Sequence, residues 1–128
     1  MKYFSILILL FVSSFSFSQD VQFQKIEKLM VNQDLGQLAL LIDSKIIICI
    51  NELEKSYTTA EANKVFKDFF ASHPYQNFKM NHKGTSEKGS KYGIGVYTTA
   101  KNEYSCHFYF KQLASGSLAL SEVRIEED

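Results

Sequence analysis

The chain has 128 residues, 45% of them hydrophobic, 22% charged and 14% aromatic, the composition of one ordinary globular domain. That excludes a disordered tail, a collagen-like repeat and a multi-pass membrane protein. Fourteen basic side chains balance fourteen acidic ones, so the basic excess that a polyanion binder needs is missing.

Residues 1–18 read as a secretory signal peptide. Lys2 supplies a positive start, residues 3–12 are almost unbroken apolar sequence, and Ser16 and Ser18 stand at the −3 and −1 places of a small-x-small cleavage site before Gln19. A membrane span needs about 20 apolar residues, and this stretch ends earlier, in serines. The expected mature chain is a single domain, 19–128, exported to the periplasm or the exterior and free of the membrane after cleavage. Losing Lys2 leaves it 13 basic against 14 acidic side chains.

Asp20 is placed to cap a first helix carrying Phe23, Ile26, Leu29 and Met30 at helical spacing. Asp34 is placed to cap a shorter second one, with Leu35, Leu38, Leu41 and Ile42 on one stripe. Ile46-Ile47-Ile48-Cys49-Ile50 is β-branched and short, hence a strand, and Ser56-Tyr57-Thr58 returns beside it. Thr58 and Glu61 form a capping box that opens a third helix, with Ala62, Val65, Phe66, Phe69 and Phe70 at core spacing. His73-Pro74 ends it.

Four strands of alternating pattern follow, an antiparallel meander. Phe78, Met80 and His82 share one phase. Tyr92, Ile94 and Val96 alternate with Gly93, Gly95 and Tyr97. Tyr104, Cys106, Phe108 and Phe110 alternate with Ser105, His107 and Tyr109. In the last strand the apolar phase shifts between Leu118–Leu120 and Val123–Ile125, which predicts a bulge near Ser121-Glu122. Helix, helix, hairpin, helix and meander make an α+β plan with helices on one face of a curved sheet.

That order, together with the hairpin before Thr58-Thr59-Ala60-Glu61-Ala62, the run Phe66-Lys67-Asp68-Phe69-Phe70, then His82-Lys83-Gly84, Tyr92-Gly93-Ile94-Gly95 and the closing Glu122-Val123-Arg124-Ile125-Glu126, resembles small secreted Bacteroidetes proteins grouped as a domain of unknown function. The resemblance implies a cystatin-like, nuclear-transport-factor-2-like cone: three helices of the N-terminal half on a mostly antiparallel sheet of five to six strands. It implies no catalytic residue. It also implies that the last strand separates the strands of Cys49 and Cys106, at about 4.8 Å per spacing and so beyond disulfide reach.

Few residues suggest chemistry. Gly93-x-Gly95 lacks the third glycine and the helix of a dinucleotide fingerprint. His73, His82 and His107 are too scattered for a metal site, and Cys106 has no base on its own face. Lys79, Lys83, Lys88 and Lys91 around one hairpin read as a solvated edge rather than a nucleic-acid patch. No cofactor, metal or catalytic residue is therefore expected. The expected pocket, suited to a small apolar ligand, is lined by Phe23, Phe66, Phe69, His82, Tyr92, Ile94, Tyr104, Phe108 and Leu118. If an enzyme is hidden here, it is an acid–base isomerase or dehydratase using His82. The outer sheet face, expected to carry Ile47, Cys49, Tyr97, His107 and Tyr109, is short of charge and suits a homodimer.

Overall fold

The structure, a computed structural model, describes residues 21–86 and 88–128. The expected signal peptide and the Asp20 cap lie outside the described residues. Helix α1 spans Val21–Val31 and α2 only Gly36–Ala39. The second helix is thus one turn long. Its N-cap is Leu35 rather than Asp34, and Ile42, expected on its stripe, already opens strand β1, Ile42–Ile50. Strand β2, Leu53–Thr58, returns antiparallel through Asn51 and Glu52, both at positive φ.

The capping box forms as the sequence requires. The Thr58 hydroxyl accepts from the Glu61 N–H at 3.3 Å, and the Glu61 carboxylate accepts from the Thr58 N–H at 2.9 Å. It starts α3, Thr59–Ser72, which buries Ala62, Phe66, Phe69 and Phe70. Strands β3 (Asn77–Thr85), β4 (Lys91–Thr98), β5 (Glu103–Gln112) and β6 (Leu118–Glu127) then run as the expected meander. The six strands form one sheet in the order β2-β1-β6-β5-β4-β3, parallel only between β1 and β6.

The bulge near Ser121 is present: Tyr109 pairs with Glu122 but Phe110 with Leu120, so Ser121 is the extra residue. It keeps Leu120 and Val123 both on the core face. A second bulge was not expected. Met80 pairs with Gly95 but His82 with Ile94, so Asn81 is extra in β3 and the strand changes phase there. At that point α1 is tied to the sheet edge, the Met80 N–H donating to the Glu27 carboxylate at 3.1 Å.

Residues paired directly across an antiparallel ladder share a face, which fixes the two faces of the sheet. The core side holds Ile46 and Ile48 of β1, Tyr104, Cys106, Phe108 and Phe110 of β5, and Leu120, Val123 and Ile125 of β6. On β4 the phase is the reverse of the expected one. Gly93, Gly95 and Tyr97 face the helices, while Tyr92, Ile94 and Val96 face out. The cause is the thickness of what lies above. A Cβ on Gly93 would stand 2.6 Å from the Phe23 ring, and one on Gly95 2.5 Å from the Phe78 ring. The glycines are inside because those rings occupy the space that side chains of β4 would otherwise fill.

Candidate functional site

Of the nine residues expected to line a pocket, Phe23, Phe66, Phe69, Tyr104 and Phe108 do share one buried cluster, with Leu118 packed against it. Tyr92 and Ile94 do not. They face out with the reversed phase of β4, and Tyr92 is 40% exposed. His82 is exposed on the same outer side, turned there by the bulge at Asn81. An acid–base role for His82 inside the cone therefore has no geometric basis.

The cluster is filled by its own rings. Phe23 meets Phe110 edge-to-face at 5.5 Å, Phe78 meets Phe108 at 6.3 Å, and Phe69 meets Tyr104 at 5.6 Å. Space opens at one end instead, where the C-terminus of α3 meets the turn between β4 and β5. This cavity of about 450 Å³ is lined by His73, Pro74, Tyr75, Thr99, Asn102 and Tyr104, with Ser72, Gln76, Ala100 and Lys101 around them.

Each wall has a local cause. Pro74 disfavours helical geometry at the residue before it, so His73 leaves the helix at ψ 79° and caps it. Its ring lies stacked on Phe69, centroids 4.0 Å apart, with Tyr104 edge-on at 5.2 Å. His73 Nδ1 is 2.7 Å from the Phe69 carbonyl oxygen. A carbonyl only accepts, so Nδ1 carries the proton and Nε2 is the nitrogen left for a ligand. On the facing wall the Thr99 hydroxyl accepts from the N–H groups of Lys101 and Asn102 at 3.1 and 3.0 Å, fixing the turn.

Tyr97 braces the two walls from beneath, its hydroxyl donating to the His73 carbonyl at 2.6 Å. Burial pushes the Tyr97 phenol up to about 12. Tyr104 is held above its ordinary value by burial and by the charge of Glu127. The lining has one imidazole, one ammonium and two phenols, and no carboxylate. That set offers hydrogen bonds and aromatic surface. It lacks the paired acid and base that proton abstraction calls for. Sequence reasoning missed His73, treating it as a helix stop. The signal available was His73-Pro74 itself, because the proline turns the residue before it out of helical geometry and so sets the imidazole at the end of α3.

Among the described residues no group of three or more His, Cys, Asp or Glu is placed to hold a metal ion, and no helix is long and apolar enough to cross a membrane. Cys49 and Cys106 are both free and buried, on β1 and β5 with β6 between them. Cys106 faces the core, where burial and then the charge of Asp128 push its thiol up to about 12. Cys49 faces out, yet it is only 1% exposed. Its neighbours on either side are Glu54 and Arg124, and their ion pair at 3.4 Å closes over it. Neither thiol should react with a maleimide at pH 8 while the protein is folded. Both should react once it is unfolded without reductant. Fewer than two thiols there would contradict the strand order.

Tyr97 also leaves the expected outer face, since its side chain is fully buried. Ile47, His107 and Tyr109 stay there, half-buried, and Tyr92, Ile94 and Val96 join them.

A family model described as a domain of unknown function, DUF4783, matches residues 23–126. This chain belongs to the DUF4783 family. Solved structures agree on the architecture. A DUF4783 family protein from Bacteroides fragilis is 22% identical, with a TM-score of 0.67 over 73% of this chain and 87% of that one. Another DUF4783 protein, from Bacteroides uniformis, is 20% identical, with a TM-score of 0.67 over 73% and 85%. The fold extends beyond the family. A steroid delta-isomerase from Pseudomonas aeruginosa is similar at a TM-score of 0.63 and 11% identity, covering 88% of this chain and 81% of its own. Nuclear transport factor 2 from Cryptosporidium parvum is similar at 0.52 and 14%, covering 84% and 95%. DUF4783 chains of this kind thus have the nuclear-transport-factor-2-like fold, which serves an isomerase in one neighbour and a transport factor in another. No curated protein matches the chain.

Proposed function

We propose that this DUF4783 chain is an exported, non-catalytic binding domain that takes a small, mainly apolar molecule at the open end of the cone. The observation that carries the reading is the cavity of about 450 Å³ between His73, Tyr75, Thr99 and Tyr104, set against an interior filled by phenylalanine rings. Its size falls within the range of small-molecule sites, which are concave, largely apolar and sparsely polar. The site suits a molecule with one planar apolar ring to lie against Tyr75 and Tyr104 and one hydroxyl to donate to His73 Nε2. The absence of a carboxylate from the lining favours binding over acid–base turnover. The positive start, apolar run and Ser16-x-Ser18 pattern support export.

The test is a panel of simple phenols and aromatic alcohols titrated into labelled protein and followed by backbone amide shifts. Binding in this site moves the amides of His73, Tyr75, Thr99 and Asn102 together. Ala100→Trp, on the exposed rim, should fill the opening and weaken that binding at least tenfold while the rest of the spectrum stays put. Shifts confined to other surfaces, or an Ala100→Trp protein that binds equally well, would remove the site. Export is checked separately, by whether the accumulated protein begins at Gln19 and lies outside the cytoplasm.

A further inference from the structure

We propose that the outer face of the sheet carries a second binding site, a cleft that takes one acidic sugar ring. The cleft, of about 290 Å³, lies between Tyr92 and Tyr109, at the opposite end of β4 from the cavity beside His73. The two tyrosines stand directly opposite each other across the β4–β5 ladder. In such a pair the Cβ atoms are about 4.5–5.5 Å apart. The ring centroids are 6.4 Å apart, with the planes tilted by 35°. The rings splay because Tyr92 leans away over Gly84 of β3. A Cβ on Gly84 would stand 2.5 Å from the Tyr92 ring and from its hydroxyl oxygen. The missing side chain gives that ring a place to lie, and the space beside Tyr109 stays open.

Three elements complete the walls. The β3–β4 hairpin brings Ser86 and Ser90 to one end, the Ser86 N–H donating to the Ser90 carbonyl at 2.8 Å. The bulge in β6 brings Ser121, whose hydroxyl donates to the Tyr109 carbonyl at 3.2 Å. That proton is used, so the Ser121 oxygen can only accept from a ligand. Glu122, opposite Tyr109, accepts from Arg124 at 2.9 Å, and its carboxylate has further acceptor sites. Lys111 lines the cleft two residues beyond Tyr109 on the same face, about 7 Å along the strand.

This set selects a ligand class. Aromatic faces are negative, so they attract the polarised C–H bonds on the flat side of a pyranose. Ser121 and Glu122 accept from ring hydroxyls at one end, and the Lys111 ammonium donates to a carboxylate at the other. A neutral sugar has nothing for Lys111 to pair with. An aromatic acid brings no hydroxyl donors, so Ser121 and Glu122 would give up water without a replacement. The ring of a hexuronic acid answers both ends. The site shares no residue with the cavity beside His73.

The experiment uses the protein in the form that accumulates in the producing cell, labelled and titrated with glucuronate, glucose and benzoate. Glucuronate should move the amides of Ser90, Tyr92, Tyr109 and Ser121 together and leave those of His73 and Thr99 in place. Glucose should bind at least fivefold more weakly, and benzoate should not move this set. Lys111→Met should bring glucuronate down to the affinity of glucose while leaving glucose unchanged. Gly84→Ala touches no lining residue except the Tyr92 ring. That ring is 40% exposed and free to swing, so alanine should push it into the cleft and weaken glucuronate at least tenfold without unfolding the domain. Tyr109→Ala, which removes the opposite wall, should lose binding to the same extent. Glucuronate that moves none of these amides, or that moves only those of the His73 cavity, would overturn the site. Equal binding of glucose or benzoate would overturn the ligand class. Gly84→Ala and Tyr109→Ala proteins that bind like wild type would overturn the cleft.

Discussion

Tyr97→Glu is expected to leave no stably folded protein. The Tyr97 side chain is fully buried, packed against Phe70 at 4.9 Å and Tyr75 at 5.9 Å between centroids. A carboxylate at that position loses its water with no cation in the contacts of the phenol it replaces. Such burial costs at least about 4 kcal/mol, against a total stability of roughly 5–15 kcal/mol for a domain of this kind. Tyr97→Phe is the mild counterpart. It keeps the ring and removes only the donor to the His73 carbonyl, which should cost about 1 kcal/mol and lower the melting temperature by about 4 °C. The phenol also sets an alkaline limit. Its folded pKa of about 12 lies above its ordinary value of 10.0, so the folded state retains the proton longer than the unfolded chain does. The contribution is whole below pH 10 and is lost as the pH climbs towards 12. Urea titrations at pH 7, 10 and 11 check both points: wild type should lose stability over the last interval, and Tyr97→Phe should lose less. A Tyr97→Glu protein with wild-type stability would mean that β4 faces the other way.

The sequence disclosed those parts of the fold that are decided locally. Thr58 and Glu61 need only each other to start α3, and the four aromatic or small apolar residues Tyr104, Cys106, Phe108 and Phe110 declare the inner face of β5 without help. Even the bulge at Ser121 was visible, because the apolar phase shifts on either side of it. The phase of β4 was not. Tyr92-Gly93-Ile94-Gly95-Val96 alternates large side chains with glycine, and Tyr97 follows in the glycine phase, so periodicity separates two sets without saying which is inside. The larger side chains looked like the core set. What decides the matter is Phe23 on α1 and Phe78 on β3, whose rings lie over the glycines, and neither is near in sequence. His82 failed for the same kind of reason, since one extra residue at Asn81 turns it over, and Asn81 has nothing in its own chemistry to announce a bulge. The cavity beside His73 needs the end of α3 to meet a turn 26 residues further on, a contact that no local pattern encodes.

Gly95→Ala should be the most destabilising single-methyl change in the domain, at about 1–3 kcal/mol, the range for overpacking a filled core. Its new Cβ would stand 2.5 Å from a ring carbon of Phe78 and 3.1 Å from the Lys79 carbonyl oxygen. The ring is 3% exposed and held edge-on by Phe108 at 6.3 Å, and the carbonyl is backbone, so neither has an easy retreat. Gly93→Ala should cost somewhat less. Its neighbours are the Phe23 ring at 2.6 Å and the Met80 sulfur at 3.3 Å, and a thioether can move. Because the Gly93 clash is with a side chain, trimming that side chain should relieve it. Phe23→Leu alone should destabilise, and the pair Gly93→Ala with Phe23→Leu should be more stable than the two separate losses would give when added, by at least 0.5 kcal/mol on the scale of about 0.5–3 for residues in contact. Gly36→Ala provides the contrast: its Cβ would meet nothing closer than 3.7 Å, and the position begins α2, so alanine should be neutral or slightly stabilising. Urea midpoints with unchanged slopes would measure all of these as changes in stability alone. If Gly95→Ala matched wild type, the rings would not lie over β4, and the reason given for the glycines facing inward would fall with them.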